Sequence, residues 1–139
     1  MCPVMADALR GACLCGAIEY RLTLPRIDAG YCHCRLCQRS SGAPVLAWLT
    51  VPVAGFAYTK GRPVEFASSV HSHREFCGSC GTQLAFRRSS EPRTVDVTVA
   101  SLEDPSAVAP EYHIWRRSRI AWFETADDLP RHDDAGPDE

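Results

Sequence analysis

Between residues 17 and 24 the chain alternates: Ile18, Tyr20, Leu22 and Leu24 fall on one side, and Glu19, Arg21 and Thr23 on the other. A period of two predicts a strand with one buried and one wet face, and Pro25 ends it. The alternation returns over 94–100, where Val95, Val97 and Val99 interleave with Asp96 and Thr98. Residues 45–53 form a nearly unbroken apolar run carrying Trp48, which predicts a largely buried strand. Shorter strands are expected at 56–60 and 64–67, divided by the turn signal Gly61-Arg62-Pro63, and at 72–76 and 82–87. Further extended pieces are expected at 29–32, 111–115 and 120–123. Only residues 35–40 suit a helical turn, which Gly42 and Pro44 stop. The pattern therefore predicts a mainly β domain with short helical turns over residues 11–130. A flexible lead-in is expected over 1–10, and an acidic, disordered tail over 131–139.

Cysteine placement changes this picture most. Seven of the eight cysteines sit in three tight groups: Cys13 and Cys15, Cys32, Cys34 and Cys37, and Cys77 and Cys80. Thiols at i and i+2 of an extended segment share a face, so Cys13 and Cys15 can reach one ion. Cys77-Gly78-Ser79-Cys80-Gly81, set between two predicted strands, has the build of a zinc-ribbon knuckle. The two pairs together supply the four thiolates of a closed structural zinc site. Cys34 and Cys37, at i and i+3, share one face of the helical turn, and Cys32 approaches from the extended side. That trio is one ligand short of a tetrahedron, the pattern of a catalytic zinc with an open position.

Other readings of the trio stand beside this one. Cys2 or His33 would close the site, and the spacing C-x-C-x-x-C also suits an iron–sulfur cluster. His33 lies between two ligands in extended chain, so its ring is expected to point away from them. Which thiols share an ion is left open by sequence.

Charge and composition exclude more than they assert. With 139 residues, 45% apolar and 23% charged, the chain has the make-up of one ordinary globular domain. The net charge of −2 conceals an asymmetry: seven acidic residues and one arginine lie from position 124 onward, leaving 14 basic against 10 acidic residues before it. That mild basic excess suits small anionic substrates, and no basic run interleaved with aromatics points to nucleic acid. No apolar stretch approaches a membrane span, and no secretory leader pattern opens the chain. A reducing cytoplasmic location is expected, where clustered cysteines signify metal rather than disulfides.

The remaining candidates are weaker. His71 and His73 share a strand face, His113 fits a core imidazole, and His132 falls in the tail. Arg39, Arg74 and the group Arg116, Arg117 and Arg119 are candidates for pairing with substrate carboxylates. No serine–histidine–aspartate arrangement, phosphate loop or dinucleotide fingerprint is present.

Several ordered motifs together resemble the glutathione-dependent formaldehyde-activating enzymes. They are Gly11-Ala12-Cys13-Leu14-Cys15-Gly16, Cys32-His33-Cys34-Arg35-Leu36-Cys37 with Ser41-Gly42-Ala43-Pro44, and Arg74-Glu75-Phe76-Cys77-Gly78-Ser79-Cys80-Gly81-Thr82. Ala100-Ser101-Leu102-Glu103-Asp104-Pro105 and His113-Ile114-Trp115, with Trp122, extend the match to residue 130.

The resemblance implies a β-tent fold related to zinc ribbons, with antiparallel sheets and two zinc ions per chain. It places Cys13, Cys15, Cys77 and Cys80 on a structural zinc, and Cys32, Cys34 and Cys37 on a catalytic one. It also implies a carbon–sulfur lyase that handles S-(hydroxymethyl)glutathione, made from formaldehyde and glutathione. Arg39, Ser41 and Gly42, beside the trio, are the expected substrate contacts. The rival expectation is a zinc-stabilised binding module without catalysis, since fold alone does not fix function.

Overall fold

The computed structural model describes residues 8–23 and 25–136, so Cys2, most of the expected lead-in, Leu24 and residues 137–139 lie outside the described residues. In chain order the elements are β1 (Leu9–Ala12), β2 (Glu19–Leu22), β3 (Asp28–Cys32), α1 (Arg35–Ser41), β4 (Leu46–Pro52) and β5 (Phe56–Lys60). They continue with β6 (Val64–Ser69), β7 (Ser72–Phe76), β8 (Gln83–Arg88), β9 (Thr94–Thr98) and β10 (His113–Ile114). A three-stranded sheet has the order β1-β2-β5, and a seven-stranded sheet the order β10-β3-β4-β9-β8-β7-β6. The expected mainly β, antiparallel architecture is observed, with one parallel pair, β10 beside β3.

The predicted alternation explains how the sheets meet. Ile18, Tyr20 and Leu22 are buried while Glu19 and Arg21 are exposed. These side chains join Leu49, Val51, Leu84, Val95 and Val97 in one core between the sheets. Successive strand residues face opposite ways, so Trp48, Thr50 and Asp96 emerge on the other face of the large sheet, and Phe86, paired with Asp96 just past an irregularity in the β7–β8 register, emerges with them. There they line a groove that reaches Cys32. One face of the large sheet therefore makes the core and the other makes the cleft.

Close backbone approach decides two positions. A Cβ on Gly30 would stand 2.2 Å from the Tyr112 ring, which lies over β3 with its hydroxyl donating to Asp28 at 2.8 Å. Gly42 ends α1 in the left-handed region at φ 70°, and its N–H returns to the Gln38 carbonyl.

Three expectations are corrected. The lead-in over 1–10 does not extend to residue 10, because Leu9 and Arg10 pair with Leu22 and Arg21 along the edge of β2. Residues 120–123 form a turn closed by Phe123 N–H to the Ile120 carbonyl at 3.0 Å, with no strand partner. The tail is ordered through residue 136: His132 N–H donates to the His113 carbonyl and His113 N–H to the Pro130 carbonyl, both at 2.9 Å. Trp115 N–H reaches Asp134 in the same way, also at 2.9 Å. The edge of β10 away from β3 needs main-chain partners, and that need outweighs the polar composition of the segment that supplies them.

Glu75 is a charged group buried between the sheets, with a 4% exposed side chain. It accepts from Tyr58 Oη and Arg87 Nε at 2.7 Å and lies 2.9 Å from His73 Nε2. Burial alone would raise its pKa, but these partners outweigh burial and hold the carboxyl below its usual range.

Two stability predictions follow from this packing. Leu49→Ala empties a fully buried site and should cost about 2–5 kcal/mol in denaturant unfolding. Glu75→Gln should cost roughly 1–3 kcal/mol near neutral pH, from partners left with weakened bonds. Because the folded-state pKa is lowered, the wild-type advantage is present above the unfolded value of about 4.3. It should fade as pH falls through the folded value, so the two unfolding curves converge in acid.

Candidate metal centres

The first centre forms where the two sheets meet. Cys13 and Cys15 sit in the turn between β1 and β2, and Cys77 and Cys80 in the knuckle between β7 and β8. Cys13 Sγ lies 3.7 Å from Cys15 Sγ, which lies 3.8 Å from Cys77 Sγ, and all four ligand atoms are within 4.8 Å of one another. Four sulfurs about 2.3 Å from a central zinc form a tetrahedron with edges of about 3.8 Å, so the spacing fits the ion. Neutral donors surround the sulfurs. Ile18 N–H points at Cys13 Sγ (3.3 Å), and Ser79 and Cys80 N–H at Cys77 Sγ (3.3 and 3.4 Å). The Thr82 hydroxyl lies 3.2 Å from Cys80 Sγ and leads the groups that lower the Cys80 thiol to about 5. The same hydroxyl oxygen accepts from Leu14 N–H at 2.9 Å, tying one turn to the other.

The second centre forms at the end of β3. Cys32 closes that strand, Cys34 caps α1, and Cys37 lies one turn into the helix. Their sulfurs are within 4.8 Å of one another, with Cys32 and Cys37 at 3.4 Å. Cys34 Sγ accepts from Cys37 N–H at 3.3 Å, as an N-cap side chain does. The Cys32 and Cys37 thiols, followed by that N–H, lower Cys34 to about 2, while Cys34 and Cys37, then burial, push Cys32 up. Three thiols this close do not ionise together without a cation among them. A divalent ion is what would let all three be thiolates together. Among the described residues this group contains no fourth cysteine, histidine or carboxylate.

The trio opens on a groove of about 750 Å³. Trp48, Phe86 and Trp115 wall it beside the thiols, and Trp48 Nε1–H donates to Cys37 Sγ at 3.4 Å. Trp115 holds a left-handed backbone at φ 58°, a strained conformation for a bulky residue. Two main-chain bonds from the ordered tail hold it there: its own N–H to Asp134, and Arg116 N–H to His132.

His33 turns away from the thiols, as the extended chain predicts. It is fully buried, with Nε2 2.8 Å from His113 Nδ1, and His113 Nε2 lies 3.1 Å from Asp127. The carboxylate only accepts, so His113 donates through Nε2 and receives from His33 Nε2–H. Burial, then His113 and Arg116, lower His33 to about 4, and it is neutral at pH 7. Gln38, also buried, donates to the His33 and Ser118 carbonyls at 2.7 and 3.0 Å. Sequence reading missed this lattice, because its partners lie 80 positions apart along the chain.

The structure distributes the other candidates differently. Ser41 and Gly42 are used in ending α1: Ser41 Oγ–H donates to the Cys37 carbonyl at 2.7 Å and accepts from Ala43 N–H at 3.1 Å. Arg39 is exposed, and none of these three residues lines the groove. Arg116 is paired with Glu124, and Arg117 Nε donates to the Asp133 carbonyl. Of the arginines named from sequence, Arg74 alone lines the groove. His73 joins Glu65 and Glu75 in a third cluster, but Tyr58 and Arg87 already occupy the Glu75 oxygens.

No described helix is long and apolar enough to cross a membrane. A crystal structure of a Rhodobacter sphaeroides protein is similar to this chain, with 28% identity and a TM-score of 0.57. The similarity covers 70% of this chain and 93% of that one. Among curated proteins none matches. The family model for the glutathione-dependent formaldehyde-activating enzyme matches residues 8–118, the span that holds both thiol centres and β1 to β10. The chain belongs to that family.

Proposed function

We propose that the protein is a zinc-dependent carbon–sulfur lyase that makes and breaks the bond between a small thiol and an aldehyde carbon. S-(hydroxymethyl)glutathione, built from glutathione and formaldehyde, is the adduct the family points to. The observation that carries this reading is the incomplete trio, with three sulfurs gathered at the end of a groove and no fourth protein ligand in the group. Three protein ligands with an open position is the arrangement of catalytic rather than structural zinc. In this reading Cys13, Cys15, Cys77 and Cys80 hold a structural zinc, and the protein works in the cytoplasm.

Zinc held by Cys32, Cys34 and Cys37 supplies a position where a substrate sulfur is stabilised as thiolate and an aldehyde oxygen polarised. The residues of the chain do the rest. Trp48 N–H fixes Cys37, the α1 cap fixes Cys34, and the lattice through His33 fixes the peptide between Cys32 and Cys34. Trp48, Phe86 and Trp115 form the apolar wall beside the reacting atoms and leave the groove mouth open to solvent. In the breaking direction the hydroxyl of the adduct gives its proton to solvent, its carbon–oxygen bond becomes a carbonyl, and the carbon–sulfur electron pair returns to sulfur. The forming direction reverses each step, and neither needs an oxidant or reductant. Substrate contacts are assigned to groove residues, not to Arg39, Ser41 and Gly42.

Two substitutions separate the centres. Cys34→Ser should leave a folded protein with one zinc and lower the formaldehyde–glutathione exchange rate, followed by NMR, at least about 100-fold. A two-zinc variant with unchanged turnover would contradict the assignment. Cys80→Ser should instead unfold much of the chain, read by circular dichroism with zinc analysis, because that ion ties the two sheets together.

A further inference from the structure

Arg74 enters the groove from β7 and is 6% exposed. Its guanidinium stacks over Phe86 at 4.8 Å and faces the Trp48 ring at 5.9 Å. One terminal nitrogen donates to Gln83 Oε1 at 2.9 Å and to Ser40 Oγ at 3.2 Å. Both terminal nitrogens approach Cys37 Sγ, at 3.9 and 3.8 Å. None of the ion pairs formed among the described residues includes Arg74. A buried cation without a carboxylate is costly unless another anion faces it. Among the described residues, the acidic group the guanidinium reaches is the thiol of Cys37.

The two centres differ sharply here. The donors around Cys13, Cys77 and Cys80 are main-chain N–H groups and one hydroxyl, all neutral. Among the described residues, it is the trio that has a guanidinium built against it. Three thiolates and one divalent ion carry a net charge of −1, which one arginine balances.

We infer that Arg74 is the counter-cation of the three-thiolate centre, a positioning residue that keeps the site electroneutral and so able to accept a further thiolate. The inference rests on the proposed metal reading and deepens it. The ligand class at the open position becomes an anionic sulfur, whatever the rest of the substrate carries. Arg74 acts through Cys37 and through the field at the open position, rather than by clasping a substrate carboxylate.

The test uses the full chain loaded with zinc, or with cobalt for its visible sulfur-to-metal bands. Arg74→Gln removes the charge and keeps a polar group near Ser40 and Gln83, Arg74→Lys keeps the charge, and Arg74→Met serves if Arg74→Gln does not fold. The first readout is zinc loss to a chelator. The second centre of the charge-free variant should release zinc about 10- to 100-fold more readily, the first centre should be unchanged, and Arg74→Lys should restore most of the retention. The second readout is the change in the cobalt bands on adding 2-mercaptoethanol or 3-mercaptopropionate. Both thiols should bind the charge-free variant at least about tenfold more weakly, by similar factors. Loss confined to 3-mercaptopropionate would overturn the inference and make Arg74 a carboxylate clamp. Unchanged zinc release with only a lowered melting temperature would overturn it in favour of packing. If wild type binds neither thiol, the open-site reading fails, and the zinc-release comparison still decides the role of Arg74.

Discussion

Bringing sulfurs to tetrahedral spacing is the constraint on which this structure depends. Four thiols from two segments more than sixty residues apart meet at 3.7 to 3.8 Å along their measured edges. That gathering joins the turn of the small sheet to the knuckle of the large one. Thiolates so close repel one another unless a cation lies among them, so an ion bound there would couple the closing of this clip to the folding of the chain. Glu75, shared between Tyr58 of one sheet and Arg87 of the other, is a smaller metal-free version of the same join.

Once the sheets are clipped, the large sheet has two distinct faces. Leu49, Val51, Val95 and Val97 go into the core, and their strand neighbours Trp48, Thr50 and Asp96 go to the groove. The pleat thus gives a cleft without a separate domain to form its wall. Its apolar side bears on the thiols, where low dielectric strengthens every charge interaction. The trio is held by a helix cap, an indole N–H and a buried imidazole pair, and these contacts come from three parts of the chain. The C-terminal segment belongs to this support, since Asp127 orients His113, and Asp134 and His132 hold Trp115 and Arg116 in place.

Local order was legible in sequence because its signals are local. The alternation at Ile18, Tyr20 and Leu22 and the turn at Gly61-Arg62-Pro63 each act within a few residues, and the strands lie where they indicate. The thiol groupings were legible too, since ligand spacing within each cluster is set by local backbone geometry. The partners of single polar side chains were not. The approach of Arg74 to Cys37, the pairing of His33 with His113, and the docking of residues 131–136 on β10 are all long-range. Composition misjudged the last of these, because a free strand edge binds main chain whatever side chains it carries. Ser41 and Gly42, near the trio in sequence, lie at the end of α1 and outside the groove lining, because the helix carries the chain away from the thiols.

The central claim is that one centre is closed by four sulfurs and the other is left open by three. Zinc-edge X-ray absorption on the full chain, with zinc measured per chain, addresses it directly. The account predicts two zinc ions and an average of about 3.5 sulfurs per ion, the remainder being oxygen or nitrogen. Two ions with four sulfurs each, or a single ion per chain, would contradict it.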